Sequence, residues 1–218
     1  MTDGLTVTVV VDNPSWILAH AEALVAQAKA RGCAATLARA FDEIGHGEVA
    51  FFLGCTTIAP ADVRARHRVN LVVHESALPL GRGFAPVAWQ VLEGVKRIPV
   101  VLFEAVDAPD AGSVYLRDEI RLTGYELNDG IRQRQGEVTV SLCLRFLEQY
   151  PQVQPEPQIG TPSTYRRRTP EDSRLDPDKS LREQFALLRV VDNERYPAFV
   201  EIEGHRYIVK IYPGPDAG

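Results

Sequence analysis

An α/β fold with a mostly parallel sheet and a small C-terminal appendage is predicted by three observations. Strand-like and helix-like segments alternate along the first hundred residues. Leu5 to Val11 and Asn70-Leu71-Val72-Val73 are apolar on both faces, as in strands covered by helices on each side. Pro151, Pro155, Pro157 and Pro162 then break the pattern and mark a linker. The expected division is an α/β unit over 1–150, a linker over 151–163 and a helix-and-hairpin module over 164–218.

Each element has a local reason. Leu5–Val11 is rich in β-branched residues and opens the sheet. Asp12-Asn13-Pro14 reads as a turn into a helix, with Asn13 as cap and Pro14 in the first helical position. Ile17, Ala21, Leu24, Val25 and Ala28 fall on one face of that helix, and Gly32 stops it. Short strands follow near Ala34–Ala38 and Val49–Leu53, then a short helix near Pro60-Ala61-Asp62. A helix over Pro86–Leu92 precedes the strand Val100–Phe103, and Ser113–Leu122 reads as extended. Tyr125–Tyr150 reads as one or two helices, interrupted near Gly130 and Gly136. In the tail, Ser180-x-x-Glu183 is a capping box expected to open a helix carrying Leu181, Phe185, Leu188 and Val191. Phe199–Glu203 and Tyr207–Tyr212 flank Gly204 as a hairpin. Some 55 residues are thin for an independent fold, so this module must pack on the main unit or on another subunit.

Composition excludes several classes. The 218 residues, 45% of them hydrophobic and 24% charged, suffice for a core and exclude wholesale disorder. No apolar run approaches the ~18 residues of a membrane span. The start, Met1-Thr2-Asp3-Gly4, lacks the basic residues of a signal peptide. Cys33, Cys55 and Cys143 stand in no metal or redox spacing and read as free thiols in a reducing cytoplasm. A net charge of -5 argues against a general nucleic-acid binder. The cations are nearly all arginine, a bias that genome composition can explain.

Ligands of parallel α/β sheets bind beyond the carboxyl ends of strands. Asp12-Asn13, Cys55-Thr56-Thr57, His74-Glu75-Ser76 and the segment after Val100–Phe103 are therefore the chemical positions. His74 stands out, following an apolar strand and preceding a loop with Pro79, Gly81 and Gly83. Asp110 lies in the loop after Val100–Phe103. Two neighbouring parallel strands would bring it to the same sheet edge as His74, where a carboxylate can orient an imidazole as proton acceptor. Asp-Ala-Gly is also an ordinary turn sequence. His20, His46, His67, His74 and His205 show no metal-ligand spacing, so no metal is expected. There is no G-x-S-x-G elbow.

The run His74-Glu75-Ser76-x-Leu78-Pro79-x-Gly81-Arg82-Gly83-x-x-Pro86-x-x-Trp89 resembles the signature loop of the folate-dependent formyltransferases. Asp110-Ala-Gly, 36 residues later, resembles that family's second active-site loop. Gly54-Cys55-Thr56-Thr57-Ile58 resembles the loop before its catalytic strand. In the tail, Arg167-Arg168-Thr169-Pro170-Glu171-Asp172 and Tyr196-Pro197-Ala198-Phe199 look like the sugar-nucleotide N-formyltransferase branch. The resemblance implies a Rossmann-like formyltransferase fold. His74 arrives early for it, as if the N-terminal half were shortened by about one β-α unit.

The resemblance also implies a reaction. An amine attacks the formyl carbon of 10-formyltetrahydrofolate, with His74 facing the formyl group and Asp110 helping to remove the proton. Ser76, Leu78, Gly81, Arg82 and Gly83, with backbone around Glu104, Ala105, Val106 and Asp107, would form the folate pocket. The family's asparagine two residues before the histidine, an oxyanion donor, is here Val72. Asn70 shares its strand face but lies about 6.6 Å further along, and Asn13 or Thr56 are the other candidate donors. For the acceptor, Asn13, Ser15, Trp89, Arg167, Arg168 and Tyr196 are candidates, against readings as a helix cap, core packing and a solvated basic patch.

The leading expectation is a cytoplasmic homodimer that formylates a nucleotide-linked amino sugar for lipopolysaccharide or other surface-glycan synthesis. No nucleic acid or membrane partner is expected. Alternatives are a methionyl-tRNA formyltransferase, a 10-formyltetrahydrofolate hydrolase and a non-catalytic binding paralogue.

Overall fold

Side chains alternate across a strand, so the apolar runs divide between two cores. The computed structural model, which describes residues 4–215, has β1 at Thr6–Val10, β2 at Ala34–Ala38, β3 at Gly47–Phe52 and β4 at His67–His74. β6 (Arg97–Glu104) and β7 (Val114–Arg121) complete a six-stranded sheet in the order β2-β1-β3-β4-β6-β7. A two-residue strand, β5 (Arg82–Gly83), lies outside it. β1 to β4 run parallel, whereas β6 is antiparallel to β4 and β7 to β6.

One face carries Val7, Val9, Phe51, Leu71 and Leu102 onto α1 (Leu18–Ala30) and α4 (Asn128–Gln149). There Phe51 meets Phe146 edge-on, with ring centroids 6.1 Å apart. The other face buries Val10, Ala50 and Phe52 with Ile44 and with Val63 of α2 (Ala61–Arg64). Asn70, Val72 and His74 alternate along β4 with Leu71 and Val73 of the first face. α3 (Pro86–Leu92) follows the signature loop.

Three expectations about helices are corrected. α1 starts at Leu18, not at Pro14, and Asn13 does not cap it. The Asn13 amide donates instead to Asp12 (2.7 Å) and to the Gly54 carbonyl (2.9 Å), tying two loops together. α4 is one unbroken helix through Gly130 and Gly136. A Cβ at Gly136 would lie 2.3 Å from the His20 ring, so this glycine permits close helix packing rather than a break. Ser180 and Glu183 do exchange bonds, with the Ser180 amide 2.8 Å from the Glu183 carboxylate. They close a turn, however, and α5 spans only Phe185–Val190. Leu181 is exposed, while Leu188 and Val191 pack with Leu175 and Ala198.

The tail hairpin is β10 (Ala198–Ile202) and β11 (His205–Val209). A short β9 (Arg174–Leu175), not foreseen from sequence, adds in parallel to make three strands. The tail docks on the α/β unit. β8 (Thr164–Tyr165) pairs with β5, and Arg189 donates to the Glu126 carbonyl at 3.0 Å. Among the described residues no helix is long and apolar enough to cross a membrane, and no cluster of three or more His, Cys, Asp or Glu could hold a metal.

Candidate active site

The carboxyl ends of β3 and β4 open into a cavity of about 820 Å³. β4 ends at His74, which is buried and lies on this cavity. Its Nε2 is 2.9 Å from the Gly81 carbonyl. A carbonyl only accepts, so Nε2 carries the proton. Nδ1 is left facing Asp110, 3.8 Å from Oδ1. That separation is a charge contact rather than a hydrogen bond. The other carboxylate oxygen of Asp110 accepts from the Gly83 amide at 2.8 Å.

Asp110 reaches His74 by a route different from the one expected. β6 is antiparallel to β4, with Leu71 opposite Glu104 and His74 opposite Val101. The carboxyl end of β6 therefore lies back along β4, and residues 105–113 must double forward. The turn is tight, since a Cβ at Gly112 would fall 1.9 Å from the Glu104 carbonyl oxygen. Asp110 adopts a left-handed backbone, φ +52°, tolerated better by Asp than by most residues. The linker secures it: Gln158 donates to the carbonyls of Asp110 (2.9 Å) and Gly112 (2.8 Å) and accepts from Arg82 (2.7 Å). Nothing in the Pro-rich composition of that segment pointed to Gln158.

The remaining residues of the signature loop build its wall from behind. Ser76 is buried beneath Gly81, and Leu78 packs with Val101, Phe103 and Val114. Ser76, Leu78, Gly81 and Arg82 do not reach the cavity surface, whereas Gly83 does. Gly83 has φ +98°, and a Cβ there would meet the Tyr165 carbonyl at 2.4 Å. Beyond β6, Ala105 and Val106 line the cavity, but Glu104 and Asp107 do not. The exposed Asp107 carboxylate pairs with Arg64.

The oxyanion candidates separate. Asn70 is buried, with its amide donated to the carbonyls of Arg64 (2.8 Å) and His67 (3.3 Å), so it cannot serve the His74 end. Asn13 is likewise committed and off the cavity. Thr56 lines the cavity, although Asp12 holds its amide (2.9 Å) and its hydroxyl (3.3 Å). Burial opposes ionisation of Asp12, but bonds from Asn13, Thr56 and Thr57 outweigh it and hold the carboxyl below its ordinary value. Val72 lines the cavity with Phe103 and provides no donor. Burial pushes the Cys55 thiol, also on the cavity, up to about 12, so it is no nucleophile at neutral pH.

The opposite wall comes from α4 and the tail. Gln135 and Arg132 of α4, Asp192, Arg167, Arg168 and Tyr196 line it. Arg132 pairs with Asp192 at 3.0 Å. Arg168 is tied to the carbonyls of Val190 (3.1 Å) and Asp172 (3.0 Å). The exposed Arg167 lies over the Phe84 ring, 4.2 Å from its centroid, with no carboxylate partner among the described residues. Ser15 lines the cavity but Trp89 does not. The Trp89 indole donates to the Arg166 carbonyl (2.9 Å) and stacks on Tyr165, which removes it from a ligand-stacking role.

Glu75, which drew no separate notice in the sequence, lines the same cavity. Its carboxylate accepts from Gln135 at 2.7 Å, and its main-chain carbonyl accepts from Gln90 at 2.6 Å. Burial raises it above the usual carboxylate range, and the opposing pull of His74 and Gln135 does not reverse this. The one available signal was its position beside His74 at a strand end.

Methionyl-tRNA formyltransferase from Streptococcus gordonii is 31% identical over 144 residues, 62% of this chain and 46% of that protein. Over that stretch the chain is similar to folate-dependent formyltransferases. It spans less than half the length of the curated relatives it matches. No family model matches the chain.

Solved structures share the formyltransferase fold. Methionyl-tRNA formyltransferase from Clostridium thermocellum superposes with a TM-score of 0.78 at 21% identity, covering 93% of this chain and 90% of that one. HypX from Aquifex aeolicus in complex with tetrahydrofolic acid gives 0.79 at 16% identity over 96% and 38%. A sugar N-formyltransferase from a Shewanella species gives 0.71 at 14% identity over 98% and 99%.

Proposed function

We propose that the chain is an N-formyltransferase that moves the formyl group of 10-formyltetrahydrofolate to the amine of a nucleotide-linked amino sugar. The observation that carries this reading is the His74–Asp110 pair facing one cavity with a 3.8 Å gap. An imidazole whose Nε2 proton is fixed on Gly81 presents only Nδ1 to that gap. It can then pass a proton between substrate and Asp110 without changing orientation. The antiparallel turn after β6 and the Gly83 amide set the carboxylate before substrate arrives, which is the preorganisation that acyl transfer requires.

The cavity suits a folate. Val72, Phe103, Ala105 and Val106 give one side an apolar wall for a flat ring. Asn70 and Arg64 already bind the amide and carbonyl of Ala105, so peptide groups of 106–109 are left to meet the ring's polar edge. A folate is also bound by the HypX neighbour. On the opposite wall, Arg167, which has no carboxylate partner among the described residues, offers a fork to a diphosphate, and Tyr196 on the same cavity is available for a base or sugar. The sugar N-formyltransferase neighbour, covered almost end to end, supports the same acceptor class. Exposed Ile202, Tyr207 and Ile208 on the tail hairpin fit a second copy, making a homodimer. The free thiols of Cys55 and Cys143 suit a reducing cytoplasm, where the product would serve surface-glycan synthesis.

The test is turnover. Tetrahydrofolate release from 10-formyltetrahydrofolate is expected only with an amino-sugar nucleotide, whose mass rises by one formyl group. Release without acceptor would indicate a hydrolase, transfer to methionyl-tRNA would indicate the tRNA reaction, and no release would indicate a binding module. Light scattering at micromolar concentration should give twice the chain mass.

A further inference from the structure

We infer that Glu75 receives the acceptor's amine as an ammonium ion and takes its first proton. The inference rests on the formyl-transfer reading and assigns the amine subsite within it. Three acids line the cavity, Glu75, Asp110 and Asp192. Asp192 is spent on Arg132 at 3.0 Å, and Asp110 is anchored by the Gly83 amide beside His74. Glu75 differs from both. Gln135 fixes its Oε1 at 2.7 Å. Among the described residues no Lys, Arg or His lies within ion-pair distance of its carboxylate, which the neighbouring His74 only pulls on from within the chain. A shielded carboxylate without a cation is costly. An incoming ammonium would supply that cation where a neutral hydroxyl could not.

The position fits the chemistry. Glu75 directly follows His74 in the chain, and a Gln on each side, Gln90 on α3 and Gln135 on α4, holds its main chain and carboxylate. Both glutamines are neutral, so neither competes as a counter-ion. Near neutral pH the acceptor arrives as R–NH3+, which has no lone pair. One proton passes from nitrogen to Glu75 Oε2, and the freed pair forms the N–C bond to the formyl carbon. As the bond from that carbon to folate N10 breaks, the second proton leaves the acceptor nitrogen and reaches N10 by way of His74 and Asp110. Glu75 then returns its proton to water. The products are R–NH–CHO, tetrahydrofolate and one proton.

The experiment compares binding rather than rate. Wild-type protein saturated with tetrahydrofolate is titrated with dTDP-4-amino-4,6-dideoxyglucose and with its 4-hydroxy counterpart, and the UDP-linked pair is run alongside. The amine should bind about tenfold to a hundredfold tighter than the hydroxyl, the range of a charge-assisted bond. Glu75→Gln should bring that ratio to about one while leaving tetrahydrofolate affinity unchanged, and Glu75→Asp should keep part of it. In turnover Glu75→Gln should lose ~10²–10⁴ in kcat/KM for the amine. A preference retained in Glu75→Gln would overturn this inference and leave the formyl-transfer reading standing. Failure of the wild type to bind either amine would overturn both.

Discussion

The two walls of the cavity are built differently. On the His74 side, main-chain groups hold the functional atoms: the Gly81 carbonyl holds Nε2, and the Gly83 amide holds the Asp110 carboxylate. On the α4 and tail side, side chains hold one another, as in Arg132 with Asp192 and Gln135 with Glu75. Main-chain contacts survive most substitutions, whereas side-chain contacts change with each one. The first wall is thus suited to invariant chemistry and the second to a specificity that can drift.

Breaking the first wall should have the largest effect. His74→Ala is expected to lower formyl-transfer kcat by ~10²–10⁴ with little change in acceptor KM, read by tetrahydrofolate release. Gly83→Ala comes next. Its Cβ would strike the Tyr165 carbonyl in a left-handed backbone. The expected loss is about 3 kcal/mol of stability, a fall in Tm of roughly 6–12 °C by calorimetry. Activity should fall with it, because Asp110 loses its anchor.

On the second wall the effects should be smaller and confined to binding. Arg167→Ala is expected to raise acceptor KM about tenfold, ~1.4 kcal/mol, with kcat unchanged and a weakened dependence on salt. A kcat loss in Arg167→Ala equal to that of His74→Ala would erase the distinction between the walls. The smallest expected effect is a change in stability with pH. Glu75 titrates above the usual carboxylate range in the folded chain, mainly through burial. Between the unfolded and folded values the native state binds more protons, so its contribution to stability falls as pH rises. Glu75→Gln should therefore melt higher than wild type at pH 8, with the gap closing toward pH 4.

Much of this was legible in the sequence, for identifiable reasons. β1 and β4 announce themselves because strands buried on both faces admit little but apolar residues. His74 stood out because polar groups at the carboxyl end of such strands have no packing role. The meeting of His74 and Asp110 was anticipated through parallel strands, yet β6 runs antiparallel and only the doubling-back of 105–113 restores the contact. Strand direction is set by the connection across the sheet, which local pattern does not encode. Gly136 looked like a helix breaker because composition reveals missing side chains but not what occupies their space. Gln158 and Gln135 stayed invisible for a related reason. Each acts through long-range bonds, Gln158 at 46 to 76 residues' separation from its partners and Gln135 at 60, and carries no local periodicity.

Gly136 has a consequence beyond packing. It is the point at which α4 rests on the His20 ring, one residue from Gln135. Any side chain at 136 would act as a shim between α1 and α4, lifting the second helix away from the first. The 2.7 Å reach from Gln135 to Glu75 has far less slack than a methyl group is wide. The back of the molecule therefore calibrates the front: a residue that never meets the cavity sets how wide it stands open.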